Sequence, residues 1–281
     1  MHRRLVGGSK WRDDIALSAS ISIHKLSGPL LGIRGQYRSM LHVFPTLDAL
    51  SEAAAQRVAE LLTSEEPDRP YLVALSGGST PKQLHTLLAT TYRDEIPWKR
   101  VHLFWGDERW VPHQSPDSNY RMADETLIRD IPLPFGNIHP VQTGLSTPLA
   151  SAEAYEREIN TFLRELDRPG LDLVILGMGD DGHTASLFPG TPVLHERHRL
   201  VAAMEAPPYA KVKDRVTFTY PLINRSRHIL FLAAGEKKRE PLTAILNDRE
   251  EALKQYPAAG VEGLVTTEWF VDEAAVGRKA A

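Results

Sequence analysis

Tyr71-Leu-Val-Ala-Leu-Ser-Gly-Gly-Ser-Thr-Pro81 is the stretch on which the reading of this chain turns. The apolar run 71–75 suits a short strand buried on both faces. A Gly-Gly pair follows, and then a helical pattern over 81–92. Thr80 is expected as the N-cap and Pro81 at the first helical position, where its missing N–H is not needed. A strand that runs through a glycine turn into a helix is the repeating unit of an α/β sheet. Glycine lets backbone approach an anion closely, and the free N–H groups and dipole of the first helical turn point at it. Ser76, Gly77, Gly78, Ser79 and Thr80 are therefore candidate phosphate-binding residues. The same composition also suits an ordinary strand-to-helix turn. No Gly-Lys-Ser/Thr follows, so this is not the loop of nucleoside-triphosphate enzymes, and a single phosphate fits better.

Outward from this stretch the same alternation continues. Helical spacing covers 47–62, with Thr46 as N-cap, and strand-like residues occupy 101–105. Helices are expected over 119–130, ended by Pro132 and Pro134, and over 149–166. The run 171–176 (Leu-Asp-Leu-Val-Ile-Leu) reads as a buried strand. Strands are expected at 199–204, 215–219 and 228–233, a helix at 236–247, a short strand at 262–266 and a terminal helix at 268–276. The sum is one α/β domain with a mainly parallel, open, Rossmann-like sheet flanked by helices.

Composition sets outer bounds. The 281 residues include no cysteine, which excludes thiol nucleophiles, disulfides and cysteine-ligated zinc and fits the cytoplasm. No apolar run approaches the ~18 residues of a membrane span. The net charge of -3 divides unevenly. Residues 1–40 carry seven Lys/Arg against Asp13 and Asp14, a balance of +5, which leaves -8 for the remainder. An acidic body argues against a nucleic-acid partner. Residues 1–40 are rich in Ser, Gly and Arg without periodicity. They read as a leader, disordered or upstream of a start at Met40, ahead of a domain at 41–281. A transit peptide is the other reading, opposed by the two aspartates.

In open α/β sheets ligands bind beyond the carboxyl ends of the strands. Two further strand ends carry unusual residues. After 101–105 comes Gly106-Asp-Glu-Arg-Trp-Val-Pro112, continuing to Asp117-Ser-Asn-Tyr120. Arg109 suits a phosphate or an oxyanion, and Asp107 suits a hydroxyl or the orientation of a catalytic group. The alternative is a solvated acidic turn in which Arg109 pairs with Glu108 or Asp107.

After 171–176 comes Gly177-Met-Gly-Asp-Asp-Gly-His-Thr184. Gly177, Gly179 and Gly182 match the dinucleotide fingerprint, and Glu205 stands where a ribose-binding acid belongs. A nicotinamide or flavin site is nevertheless rejected. Asp180 and Asp181 would face a negative pyrophosphate, and Pro189 leaves no room for a crossover helix. His183 is the better focus, because a histidine in a polar loop at a strand end suits general-base work near neutral pH. Asp181 or Asp107 could orient it. No metal is expected: His-Glu-x-x-His is absent, and His195-Glu-Arg-His198 has the wrong spacing. Gly-x-Ser-x-Gly is absent too, so water is the simplest nucleophile for hydrolysis. His102, in a strand, and His85, on a helix, read as structural or surface residues.

Taken together and in order, these loops resemble the 6-phosphogluconolactonase family. The resemblance runs through Ala74–Pro81, Gly106–Arg109 with Val111-Pro112 and Ser118-Asn119, and Gly177–Gly190. It continues through Ala206-Pro-Pro208, Arg215-Val-Thr217, Leu222-Ile-Asn224, Gly235-Glu-Lys-Lys238 and Trp269–Asp272. It implies a deaminase/isomerase-like fold and hydrolysis of 6-phospho-D-glucono-1,5-lactone, the second step of the oxidative pentose phosphate pathway, without a cofactor. It also implies a sugar-phosphate lactone as the partner, no nucleic acid or membrane, and a cytoplasmic monomer or weak homo-oligomer. Carried over by position, His183 is implied as general base and Gly77, Gly78, Ser79, Arg215 and Lys238 as phosphate-side residues. Asp107, Arg109 and Asp181 are implied as active-site residues. The family often has Lys-Ala where this chain has Lys238-Arg239, which leaves open whether Lys237, Lys238 or Arg239 reaches the ligand. The final strand pattern, Gly263–Trp269, is also longer.

The nearest alternative is the related glucosamine-6-phosphate deaminase/isomerase group, which shares Ser-Gly-Gly-Ser-Thr-Pro and Asp-Gly-His. That group usually reads Asp-Glu-Tyr where Asp107-Glu-Arg109 stands, and His-Ile-Ala-Phe-Asn-Glu-Pro where His183-Thr-Ala-Ser-Leu-Phe-Pro189 stands. A non-catalytic sugar-phosphate sensor is a third reading, opposed by the lack of a helix-turn-helix pattern in 1–40.

Overall fold

The computed structural model describes residues 24–25, 38–63 and 69–277. Most of the expected leader at 1–40 lies outside the described residues. In chain order the elements are β1 (His24–Lys25), β2 (Arg38–Phe44), α1 (Leu47–Thr63), β3 (Tyr71–Leu75), α2 (Ser79–Thr90), β4 (Val101–Trp105), β5 (Asp107–Arg109), α3 (Asn119–Thr126) and α4 (Pro148–Glu165). They continue with β6 (Leu173–Gly177), β7 (Val201–Glu205), β8 (Asp214–Phe218), α5 (Tyr220–Ile223), β9 (His228–Ala233), α6 (Arg239–Asn247), α7 (Arg249–Ala252) and β10 (Thr266–Asp272).

The main sheet has the order β1-β2-β10-β9-β6-β3-β4, parallel throughout except for the antiparallel β1 at its edge. Its strands bury both faces, which is why they read as continuous apolar runs. In β3, Leu72 and Ala74 join one core, while Tyr71, Val73 and Leu75 join the other. The first core is closed by α4, through Ala152, Tyr155 and Ile159, and by α6, through Leu242 and Ile245. The second is closed by α1, through Leu50, Ala54, Val58 and Leu62, and by α2, through Leu84 and Leu88. Thr46 caps α1 as its sequence implies, accepting from Ala49 N–H at 3.2 Å.

The expected fold class therefore stands, with several corrections of detail. The chain at 199–219 does not join the parallel sheet. It forms β7 and β8, an antiparallel hairpin that pairs with the short β5 as a second sheet, β5-β8-β7. This sheet grows from the end of β4, where Gly106 C=O accepts from Phe218 N–H at 2.8 Å. The expected terminal helix at 268–276 is instead β10, a strand at the middle of the main sheet between β2 and β9, with every residue buried. A strand buried on both faces has no period-2 alternation, so Glu268-Trp-Phe-Val-Asp272 gave no strand signal to set against a helix. The expected strand at 262–266 is a loop except for Thr266, where β10 begins. The strand β2 was not anticipated, and it runs across positions 40 and 41.

Register brings the strand ends level. Leu75 pairs with Trp105, and Gly177 pairs with Leu232. Ser76, Gly106 and Ala234 thus leave the sheet along one edge beside Gly177, at the carboxyl ends where α/β sheets bind ligands.

Candidate active site

A cavity of about 390 Å³ opens at that edge. Its walls include Ser76, Gly77, Gly78, Ser79, Thr80, Asp107, Arg109, His183, Arg215 and Lys238, every candidate residue except Asp181. Asp181 stands just behind His183.

The glycine loop forms one wall. The helix α2 starts at Ser79, two residues earlier than expected, and Gly78 rather than Thr80 precedes its first turn. Gly78 has φ 109°, a conformation open to glycine and strained for other residues. Pro81 thereby falls inside the first turn, still without a hydrogen bond to lose. The first N–H in the helical ladder is Lys82, which donates to Gly78 O at 3.2 Å. The N–H groups of Ser79 and Thr80 have no partner within the helix and face the cavity end. Gly77 is required for a different reason, since a Cβ there would run into the carboxamide of Asn119.

Asn119 ties this loop to the second one. Its Nδ2 donates to Asp107 O at 2.8 Å and Asp107 Oδ1 at 3.2 Å. Asp107 Oδ2 accepts from Ser186 Oγ at 2.6 Å and lies 3.8 Å from Arg215 Nη1. Asp107 therefore orients the loops and Arg215, not His183. Burial lowers the Arg215 pKa, and the charge of Asp107 works against that effect.

The second loop is not a solvated acidic turn. Glu108 is 1% exposed. It accepts from the backbone N–H groups of Arg109, Asn119 and Tyr120 at 2.7–2.8 Å and from Ser118 Oγ at 3.1 Å. Burial pushes its carboxyl up to about 7, and these backbone donors pull the other way. Arg109 pairs with neither acid side chain. Its Nη1 donates to Asp117 O at 2.7 Å, and its buried Nε has no hydrogen-bond acceptor among the described residues.

The third loop holds the histidine. His183 Nδ1 lies 2.5 Å from Asp181 Oδ1, which also accepts from His183 N–H at 3.1 Å. Partial burial would raise the Asp181 pKa. The hydrogen bonds from His183 and from the Tyr209 hydroxyl outweigh it and hold the carboxyl well below the usual carboxylate range. An ionised Asp181 can only accept, so Nδ1 of His183 carries a proton, and in the neutral ring Nε2 is the basic nitrogen. The ring lies against Phe188 at a centroid distance of 4.2 Å. Two glycines make room: a Cβ on Gly179 would strike the His183 ring, and one on Gly182 would strike Tyr256.

Of the three cations near position 238, Lys238 lines the cavity. Its Nζ donates to Asp180 Oδ1 at 2.5 Å. Lys237 is exposed, 3.8 Å from Asp180, and Arg239 pairs with Glu236 at 3.1 Å. Sequence reading missed Tyr209, Phe188, Ser186 and the bridging part of Asn119. Only Asn119 carried a local signal, as the residue after a Ser N-cap. Ser186 and Tyr209 meet the site through contacts between loops far apart in the chain, and Phe188 through the fold of its own loop back onto His183. Among the described residues no group of three metal-ligating side chains stands together.

Comparison with known proteins shows the family of the chain. Residues 45–269 match the family model described as glucosamine-6-phosphate isomerases/6-phosphogluconolactonase. A 6-phosphogluconolactonase of Synechocystis is 43% identical over 72% of this chain and 82% of its own length. One of Nostoc is 37% identical over 85% and 97%. The solved structure of 6-phosphogluconolactonase from Trypanosoma cruzi aligns with a TM-score of 0.71 and 32% identity, covering 86% of this chain and 97% of its own. A monomeric glucosamine-6-phosphate deaminase shares the fold at a TM-score of 0.71 and 19% identity. A match over most of the chain, with relatives of this similarity, leaves no doubt of kinship: the chain belongs to the glucosamine-6-phosphate isomerase/6-phosphogluconolactonase family.

Proposed function

We infer that this chain hydrolyses 6-phospho-D-glucono-1,5-lactone to 6-phospho-D-gluconate, the second step of the oxidative pentose phosphate pathway. The observation that carries the reading is one cavity walled by a glycine loop at a helix N-terminus, three cations and a histidine whose Nε2 has no side-chain partner among the described residues. Relatives named 6-phosphogluconolactonase at 37–43% identity support it.

In this reading the loop 76–80, Arg215 and Lys238 hold the 6-phosphate, and Lys238 exchanges Asp180 for the ligand. The phosphate is remote from the reacting carbon, so its binding energy serves to place C1 beside His183. Nε2 of His183 takes a proton from water as the water oxygen bonds to C1. The carbonyl oxygen becomes an oxyanion, with Arg109 and loop N–H groups as its donors. The oxyanion collapses, the bond from C1 to the ring oxygen breaks, and the imidazolium returns the proton to that oxygen. Water is consumed, the carboxylic acid product ionises, and His183 ends neutral. Asp181 keeps the Nδ1 proton in place and offsets the imidazolium charge. These steps call for no cofactor. The site is complete within one chain, which supports a monomer or weak homo-oligomer, and a chain without cysteine fits a cytoplasmic setting. No helix among the described residues is long and apolar enough to cross a membrane.

The test is hydrolysis of freshly generated 6-phosphogluconolactone, with spontaneous opening subtracted, beside ammonia release from glucosamine 6-phosphate. Fast lactone opening without ammonia is the expected result. Ammonia release, or lactone opening at the spontaneous rate, would overturn it.

A further inference from the structure

The turn that joins β7 to β8, residues 206–213, brings Tyr209 and Ala210 to the wall of the cavity. It is closed on itself by Ala206 N–H to Lys213 O at 2.8 Å and Ala210 N–H to Pro207 O at 2.9 Å. Two side chains tie it to loops on either side. Lys211 Nζ donates to Asp117 Oδ1 at 2.7 Å. The Tyr209 hydroxyl donates to Asp181 Oδ2 at 2.6 Å.

Tyr209 is 70% exposed, so burial does not explain where its ring lies. It meets Phe188 edge-on at 6.4 Å, and Phe188 in turn lies against His183. Its one side-chain hydrogen bond goes to the oxygen of Asp181 that His183 leaves unused. Partial desolvation, then the hydrogen bond to Asp181, pushes the phenol up to about 12, so it remains a donor across the neutral range.

We propose that Tyr209 is a positioning residue for the reaction: its hydroxyl pins the outer oxygen of Asp181 and so holds the inner oxygen on Nδ1 of His183. Without that bond Asp181, a partly exposed side chain on a glycine-rich loop, is held through its inner oxygen alone, by Nδ1 and the backbone N–H of His183. A second anchor on its far oxygen fixes its orientation, as outer hydrogen bonds do for the ligands of metal sites. Because the anchor comes from the turn at the cavity wall, the alignment of His183 depends on that turn being in place. This inference rests on the assignment of His183 as general base.

The experiment compares kcat, KM and the pH profile of wild type, Tyr209→Phe, Lys211→Ala and His183→Ala with 6-phosphogluconolactone. Tyr209→Phe keeps the ring against Phe188 and removes only the hydroxyl. It is expected to lower kcat about tenfold with KM nearly unchanged, the scale of a slightly misplaced catalytic group. Asp181 then keeps more charge on the oxygen facing the imidazolium, so the acidic limb of kcat/KM moves to higher pH. The other charged groups lining the cavity with His183 are Asp107, Arg109, Arg215 and Lys238, and none changes in this variant. Lys211→Ala removes the turn's bond to Asp117 but leaves its two backbone bonds and the Tyr209–Asp181 bond in place, and it is expected to leave kcat and that limb unmoved. Wild-type kcat in Tyr209→Phe, an acidic limb that stays or falls, or the same change in Lys211→Ala would overturn the proposal. Wild-type turnover in His183→Ala would instead overturn the general-base reading on which it stands.

Discussion

Among the described residues, two histidine–carboxylate pairs are shorter than 3 Å. His183 Nδ1 is 2.5 Å from Asp181 Oδ1, and His139 Nδ1 is 2.7 Å from Glu158 Oε1. Their second nitrogens differ. His139 Nε2 meets His102 Nδ1 at 3.0 Å, and the ring is buried among Phe104 and Phe162 at 4.6 and 4.7 Å. Among the described residues His183 Nε2 has no side-chain hydrogen bond, and the ring lines the cavity. A carboxylate at one nitrogen fixes the tautomer in both pairs. What separates a candidate base from a structural ring is whether the other nitrogen has somewhere to send a proton. The first pair sits at the carboxyl ends of the strands among glycines. The second sits on the flank of β4, the edge strand of the main sheet, among aromatic rings.

The sharpest way to break this comparison is to remove each ring. His183→Ala should lower kcat by about a thousandfold with little effect on KM, the usual scale for losing general acid–base help. His139→Ala should leave kcat nearly unchanged and lower stability by about 2 kcal/mol, since it empties a packed aromatic site and strands Glu158 and His102. Steady-state kinetics and urea unfolding of both variants check this. A collapse of kcat in His139→Ala would end the distinction.

Changing the carboxylates comes next. Asp181→Asn presents a donor where Nδ1 needs an acceptor, which favours the wrong tautomer and should lower kcat by about a hundredfold. Glu158→Gln makes the same change beside His139 and should leave turnover alone. The cation side gives a smaller effect. Lys238→Met should raise KM about tenfold through one lost charge-assisted hydrogen bond, part of which Asp180 already claims. Non-phosphorylated gluconolactone should be hydrolysed equally by wild type and variant. A loss there as well would remove Lys238 from the phosphate.

The two regions also differ in how far the sequence disclosed them. The cavity was legible because its parts are local: glycines, polar residues and strand ends fall together in short runs such as Ser76–Pro81 and Gly177–Thr184. The order of the main sheet's strands was not legible, because β10 inserts between β2 and β9 from the far end of the chain. The same holds for Asp107. Its carboxylate was a plausible partner for His183 until Ser186, Asn119 and Arg215 were seen to claim it. Glu108 looked like a surface acid because its burial depends on backbone donors eleven and twelve residues away. The His102–His139–Glu158 chain left no trace in the sequence, because it joins a strand, a loop and a helix that share no motif.

That chain yields the smallest effect, a slope of stability with pH. Burial, with help from the charges of His139 and Arg168, lowers the His102 pKa to about 4 from an ordinary 6.5. The folded protein therefore keeps this ring neutral at pH values where the unfolded chain protonates it. A group with a depressed histidine pKa contributes stability that is complete above about 6.5 and lost as pH falls towards 4. His85 is buried on α2, is held near 4 by desolvation alone, and acts over the same window. His102→Phe should thus flatten, without abolishing, the fall in unfolding free energy between pH 6.5 and 4 that urea titrations of the wild type record. If the slope is unchanged, His102 is protonated in the fold near its ordinary pH. His139 would then face a cation rather than a neutral ring, and the second pair would be closer to a titrating site than the contrast with His183 allows.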